Sequence, residues 1–300
     1  MNLCNIKTVK DIMSRYGTDT KKSFGQNFLI NPLIPENIAD ESYDYHVDRN
    51  YGKDSAVLEI GPGIGALTAM LCERYNKVVA VEIDRTLIPI LGETLGEYDN
   101  VTVINEDFMK LSLKELLSEH FGDTPVSVCA NLPYYITTPI IMKLLEESRM
   151  DGKSLLTSIT VMVQKEVADR LCATEKDSEY GAITASLNYY GKVKKLFQVA
   201  PGNFLPAPSV TSSVIRIELY EKNPFTVKSE KMLFDVIAGA FAQRRKTMLN
   251  SLASSLSFVK KDRIAEIITE MGFDINIRGE KLGIGDFCAL SDRLYEEKNK

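Results

Sequence analysis

Two kinds of hydrophobic spacing alternate along the first two-thirds of the chain. Residues 57–60, 77–84, 100–108, 126–130 and 155–163 are short apolar runs, the pattern of strands covered on both faces. Between them, residues 66–75, 87–95, 111–121, 140–148 and 164–173 carry apolar positions three and four apart, as on one face of a helix. Residues 214–219 alternate and read as a late strand; 184–190 and 192–199 give further regular elements. This alternation predicts an α/β domain on a parallel, doubly wound sheet. Past Pro224 the pattern turns helical, over 231–242, 245–256, 261–271 and 284–297, with Gly272 and Gly279 expected at helix ends. The chain thus divides into residues 1–221 and a small helical domain, 222–300. Residues 1–20 look helical and 35–45 form a short helix. The polar stretch 41–53 reads as a solvated connector into the first core strand.

Charge adds a second asymmetry. The net charge of −5 argues against a polyanionic partner until it is divided. Residues 222–300 hold 14 Lys and Arg against 11 Asp and Glu, a net of +3; residues 1–221 hold 22 against 30, a net of −8. The basic part is the C-terminal part. No apolar run approaches the roughly 20 residues of a membrane span, and residues 1–19 lack the apolar core of a signal peptide, so no membrane role is expected. Five scattered cysteines without a C-x-x-C pair read as reduced thiols of a cytoplasmic protein. Only two histidines, His46 and His120, are present, which excludes a histidine-rich metal centre and argues against a Ser-His or Cys-His triad.

The first run enters a glycine cluster, Gly61-Pro62-Gly63-Ile64-Gly65, and a helical run leaves it. Glycines permit positive φ and let backbone approach a ligand where a Cβ would collide. The next strand ends at Glu82, about 20 residues on, where nucleotide-binding α/β folds place a ribose carboxylate. A dinucleotide and S-adenosylmethionine (SAM) both satisfy these residues. Pro62 tilts the balance to SAM, because it lacks the N–H a pyrophosphate would use. SAM asks for close backbone, here Gly61 and Gly63, and one carboxylate. Gly61, Glu82, Asp107 and Asn131 each follow a strand, so four ligand-type positions converge on the carboxyl edge of the sheet. Lys21 and Lys22 open a loop whose functional reading is a lid, its lysines towards phosphates.

Asn131-Leu132-Pro133-Tyr134, at the end of the fourth strand, carries the sharpest chemistry. The exocyclic amine of adenine is a poor nucleophile because its lone pair is delocalised into the ring. Two acceptors aimed at its N–H bonds favour the pyramidal form and free that pair. An Asn side-chain oxygen and an adjacent backbone carbonyl are such acceptors. Pro133 stiffens the turn, and an aromatic after it can stack on a base turned out of its helix.

Together with the Gly61-Pro62-Gly63 turn and Phe24-Gly25-Gln26-Asn27-Phe28-Leu29, this stretch resembles the ribosomal RNA adenine N6-dimethyltransferase family. Phe204-Leu205-Pro206-Ala207-Pro208-Ser209-Val210 and Phe241-Ala242-Gln243-Arg244-Arg245-Lys246-Thr247 are similar to its bacterial small-subunit branch, and the likeness runs from about Lys21 to Leu294. It implies a Rossmann-like SAM-dependent methyltransferase sheet with a small C-terminal helical RNA-binding domain. It also implies dimethylation of two neighbouring adenosines in the 3′-terminal hairpin of 16S rRNA, in the small (30S) subunit, by a monomer. By that resemblance Asn27, Leu29 and Gly61 lie along the cofactor and Glu82 takes the ribose. Asp107 takes the cofactor's adenine amine, with Ile83 and Phe108 against its ring. Asn131 and the Leu132 carbonyl hold the target amine, and Tyr134 and Phe204 sandwich its base. Arg244, Arg245 and Lys246 meet RNA phosphates. Competing readings are a 23S rRNA adenine methyltransferase of the antibiotic-resistance type, a non-catalytic assembly factor, and an NAD(P) oxidoreductase.

Overall fold

The computed structural model describes residues 1–17, 27–49, 54–150, 153–243 and 245–300. Lys21, Lys22 and Arg244 lie outside them. The chain forms two compact units, Met1–Ala168 with Lys192–Lys222, and Asp169–Gly191 with Asn223–Lys300.

The first unit is built on seven strands: β1 (Ala56–Ile60), β2 (Lys77–Glu82), β3 (Val101–Asn105), β4 (Val126–Asn131), β5 (Leu156–Gln164), β6 (Gly191–Val199) and β7 (Ser212–Leu219). Their order in the sheet is β3-β2-β1-β4-β5-β7-β6. β1 pairs in parallel with β2 and β4, and β4 with β5, whereas β7 runs antiparallel to β5. The sheet is therefore mixed; the expectation of a parallel sheet holds for β1–β5. β1 is buried at every position because it lies at the centre with both faces covered. The strand order reverses between β1 and β4, and the carboxyl ends on either side of such a reversal are where these folds bind ligands.

Seven helices belong wholly or partly to this unit: α1 (Ile6–Arg15), α2 (Leu33–Asp48), α3 (Ala66–Cys72), α4 (Ile88–Thr94), α5 (Leu113–Phe121), α6 (Thr137–Glu147) and α7 (Lys165–Leu171). α2 corrects the expected connector. Its helix continues through Asp48 because Ser42, Tyr45 and His46, at helical spacing, turn inward and are buried. The Ser42 hydroxyl shares a 2.8 Å hydrogen bond with Tyr75. Arg216 of β7 stacks on the Tyr45 ring, 4.5 Å from its centroid, and donates to the backbone and side chain of Glu41. The polar residues that suggested a solvated loop are thus the outer face and the polar anchors of a helix.

The second unit comprises α8 (Ala182–Tyr190), α9 (Glu230–Phe241), α10 (Met248–Ser255), α11 (Lys261–Glu270) and α12 (Ile284–Lys298). It takes in Asp169–Gly191, which the sequence division at 221 put in the first domain, because aromatic packing ties α8 to the later helices. Tyr180 meets Phe241, Tyr190 stacks on Phe234, and the Tyr189 hydroxyl donates to Glu230. Gly272, with φ +81°, ends α11 as expected. Gly279 is needed for a different reason: a Cβ there would lie 3.0 Å from the Ala240 carbonyl.

Candidate active site

β1 delivers its chain into a turn that only glycine builds cheaply. Gly61, Gly63 and Gly65 have φ of +72°, +62° and +91°, where an ordinary residue loses roughly 1–2 kcal/mol. The Gly61 N–H is donated to the Val81 carbonyl at 2.9 Å, which fixes the turn against β2. A Cβ on Gly61 would meet nothing within 4 Å, so that face of the backbone opens onto free space. The space is an open cleft whose lining comes from the ends of β1, β2 and β4 and from residues 27–29.

Two carboxylates face it. Glu82, at the end of β2, is buried and accepts from Gly63 N at 3.1 Å and Asp84 N at 2.8 Å, so both its oxygens are oriented by backbone. Burial raises its pKa, and those N–H bonds oppose the rise. Glu59 of β1 is 1% exposed, and its Oε2 has no hydrogen-bond partner among the described residues. Burial pushes its pKa up to about 8, and the charge of Glu82 adds to the rise, while Thr68 lowers it. No Lys, Arg or His lines the cavity among the described residues. With Glu59 held protonated, Glu82 is the carboxylate that faces the ligand, and a lining without cations suits a sulfonium and offers a pyrophosphate no partner. The two open alternatives of the glycine turn are therefore separated by charge, in favour of SAM, a sulfonium cation.

The opposite wall comes from the end of β4. The Asn131 amide nitrogen donates to the Asn27 carbonyl at 3.4 Å, which leaves its side-chain oxygen for a second partner. The Pro133 carbonyl accepts from Ile136 N and the Thr137 hydroxyl, at 3.2 and 3.1 Å, and so holds the turn shut. Tyr134 is half-buried and its hydroxyl shares a 2.7 Å hydrogen bond with Ser212.

The cavity gathers Asn27, Leu29, Gly61, Gly63, Glu82, Ile83, Asn131, Leu132, Pro133 and Tyr134 from the sequence expectations. It does not gather three others. Asp107 and Phe108 lie beyond the lining, past β3, where Asp107 accepts from Met109 N at 3.0 Å and Phe108 is buried. Phe204 is 2% exposed and packed in the core with Leu29, Met162 and Val214. The aromatics at the cavity besides Tyr134 are Phe28, which is buried, and Tyr135, 63% exposed. Arg245 and Lys246 belong to the second unit, exposed on the turn before α10, whose start is capped by Thr247 rather than by the basic residues. Sequence reasoning gave no role at the site to Phe28, Glu59 or Tyr135. The signal for Glu59 was there: a lone acid in an otherwise apolar run.

Among the described residues no group of His, Cys, Asp and Glu is disposed to hold a metal ion, and no helix is long and apolar enough to cross a membrane.

Residues 17–296 match the profile of the family described as ribosomal RNA adenine dimethylase. A curated relative from Alkaliphilus oremlandii, "Ribosomal RNA small subunit methyltransferase A", is 44% identical over 97% of each chain. One of the same name from Bacillus cytotoxicus is 45% identical over 97% of each. Among solved structures, a dimethyladenosine transferase from Plasmodium falciparum aligns with a TM-score of 0.73 at 24% identity, over 90% of this chain and 98% of that one. The 23S rRNA methyltransferase ErmE aligns at 0.66 and 22%, over 91% and 100%. These two likenesses establish the fold.

Proposed function

This chain belongs to the ribosomal RNA adenine dimethylase family, and on that premise we propose that it dimethylates the N6 amines of two adjacent adenosines in the 3′-terminal hairpin of 16S rRNA, within the small ribosomal subunit. It is a SAM-dependent rRNA adenine methyltransferase. The observation that carries the reading is that the Asn131–Tyr134 turn and the Gly61–Glu82 cradle open onto one cavity. A methyl donor and an adenine amine held by those two walls would meet.

SAM, when bound, supplies a methyl group made electrophilic by its sulfonium. The open backbone at Gly61 and the oriented carboxylate of Glu82 suit its close-fitting ribose end. Ile83, half exposed on the lining, offers an apolar face for its adenine. The roles that the resemblance gives Asp107 and Phe108 require that adenine to extend past the cavity, towards the turn after β3. On the other wall, the Asn131 side-chain oxygen and the Leu132 carbonyl would accept the N–H bonds of the target amine. As the new C–N bond forms, the methyl–sulfur bond breaks and its electron pair stays on sulfur as a neutral thioether, while the amine becomes an ammonium and then gives one proton to water. No strong base is needed, which accords with a histidine-free cavity. The second transfer repeats the step on the monomethyl amine through its remaining N–H. Tyr134 stacks on the flipped base. Arg245 and Lys246 would neutralise phosphates, which position an RNA without specifying its sequence.

The small-subunit substrate is supported by the names of relatives 44–45% identical over nearly the whole chain. The reading has the chain working as a monomer in the cytoplasm. It is tested by transfer of labelled methyl from SAM to small subunits lacking the N6-dimethyl marks, beside large subunits and free 16S rRNA. Label in the small subunit alone is expected. Label in large-subunit RNA would move the chain to the resistance type, and SAM binding without transfer would make it an assembly factor.

A further inference from the structure

The proline-rich segment that follows Phe204 does not reach the cavity, yet it ends on a residue that touches the site. Ser212 is the first residue of β7 and is fully buried. Its register is fixed by the sheet: Ser212 stands opposite Gln164, and Val214 opposite Met162, which in turn stands opposite Asn131. The ends of β4, β5 and β7 therefore form one row, and the serine hydroxyl is placed by strands rather than by a loop. That hydroxyl lies 2.7 Å from the hydroxyl of Tyr134.

Tyr134 itself sits in a turn, where no strand partner orients it. A ring there has two side-chain torsions to settle and is only half-buried. A hydrogen bond at the tip of the ring anchors its long axis, and the in-plane preference of the phenolic O–H biases rotation about that axis. It also occupies the phenol, whose pKa burial pushes up, so the group serves as a wall and not as an acid or base.

We infer that Ser212 is a positioning residue for methyl transfer, which anchors the Tyr134 ring where it receives the target base. The inference rests on the proposed role of Tyr134 as the stacking surface. Its consequence is specific: Ser212 and Tyr134 act through one bond, so removing either end has the same effect and removing both has no more.

The test is a double-mutant cycle of Ser212→Ala and Tyr134→Phe, read as kcat/KM for unmethylated small subunits, with SAM Kd measured by calorimetry. Losing one neutral hydrogen bond predicts a roughly three- to tenfold fall in kcat/KM for each single variant. The double variant should fall no further, and SAM Kd should stay within about twofold. Additive losses, a wild-type rate in either single variant, or a parallel loss of SAM affinity would overturn the inference. If Ser212→Ala fails to fold, Tyr134→Phe reads the same bond from the half-buried side, and wild-type activity in it is the overturning result. The wild-type rate on the same particles separates the two levels. An inactive wild-type chain fails the functional reading, whereas an active one without coupling fails this inference alone.

Discussion

Replacing Glu59 by Gln should remove a pH dependence from the stability of the protein. Glu59 is wholly buried in β1, beside Glu82 of β2 and near Cys72 and Cys129, whose thiols burial holds neutral. Burial pushes its pKa up to about 8 from an ordinary 4.5, and no cation among the described residues offsets the rise. Below pH 4.5 the carboxyl is protonated in both the folded and the unfolded chain and carries no penalty. Between 4.5 and 8 the unfolded chain gives up the proton and the folded chain keeps it, so stability falls as pH rises. At about 1.4 kcal/mol per pH unit, the whole window amounts to roughly 5 kcal/mol. The amide of Gln has nearly the same shape and does not titrate. Urea unfolding of both proteins at half-unit steps from pH 5 to 9, without SAM, measures the difference. The variant should gain on the wild type steadily up to pH 8 and hold its advantage above it. Parallel curves would refute the account, since they would mean that Glu59 ionises in the folded protein as it does in the unfolded chain.

Other outcomes test the two walls separately. Asn131→Ala should cut single-turnover methyl transfer by at least about 100-fold while SAM Kd, by calorimetry, moves severalfold at most; full activity would sink the acceptor mechanism. Glu82→Ala should weaken SAM binding by about ten- to a hundredfold, because it removes a charged acceptor and strands the N–H groups of Gly63 and Asp84. The raised pKa of Glu82 adds a sign: SAM affinity should decline as pH falls through it, and a flat profile would count against the ribose role. Converting Arg245 and Lys246 together to Ala should lower RNA affinity and flatten the plot of log K against log salt by about 1.4–1.8. An unchanged slope would show that these residues do not meet phosphates.

The hydrophobic spacing was legible because the sheet's central strands are buried on both faces and show it as unbroken runs. The glycine turn was legible because three positive φ angles leave no other residue type. α2 was not, since Ser42 and His46 are polar by type and buried by position, held by partners 33 and 81 residues away. Phe204 illustrates the converse. The resemblance set Phe204 against the target base, but pairing of Leu205 with Phe28 and of Phe204 with Leu29 folds it into the core. Charge compensation is another property that spacing cannot display: that Glu59 is buried beside Glu82 emerges only when β1 and β2 pair.

The most direct test of the central claim is the identity of the modified nucleosides. Small subunits lacking the marks would be treated with the wild-type chain and SAM, and the RNA digested and analysed by mass spectrometry. Two adjacent N6,N6-dimethyladenosines in the 3′-terminal hairpin, and no other new methylated nucleoside, are expected. A methyl group on any other atom, or on an RNA outside the small subunit, would contradict the account.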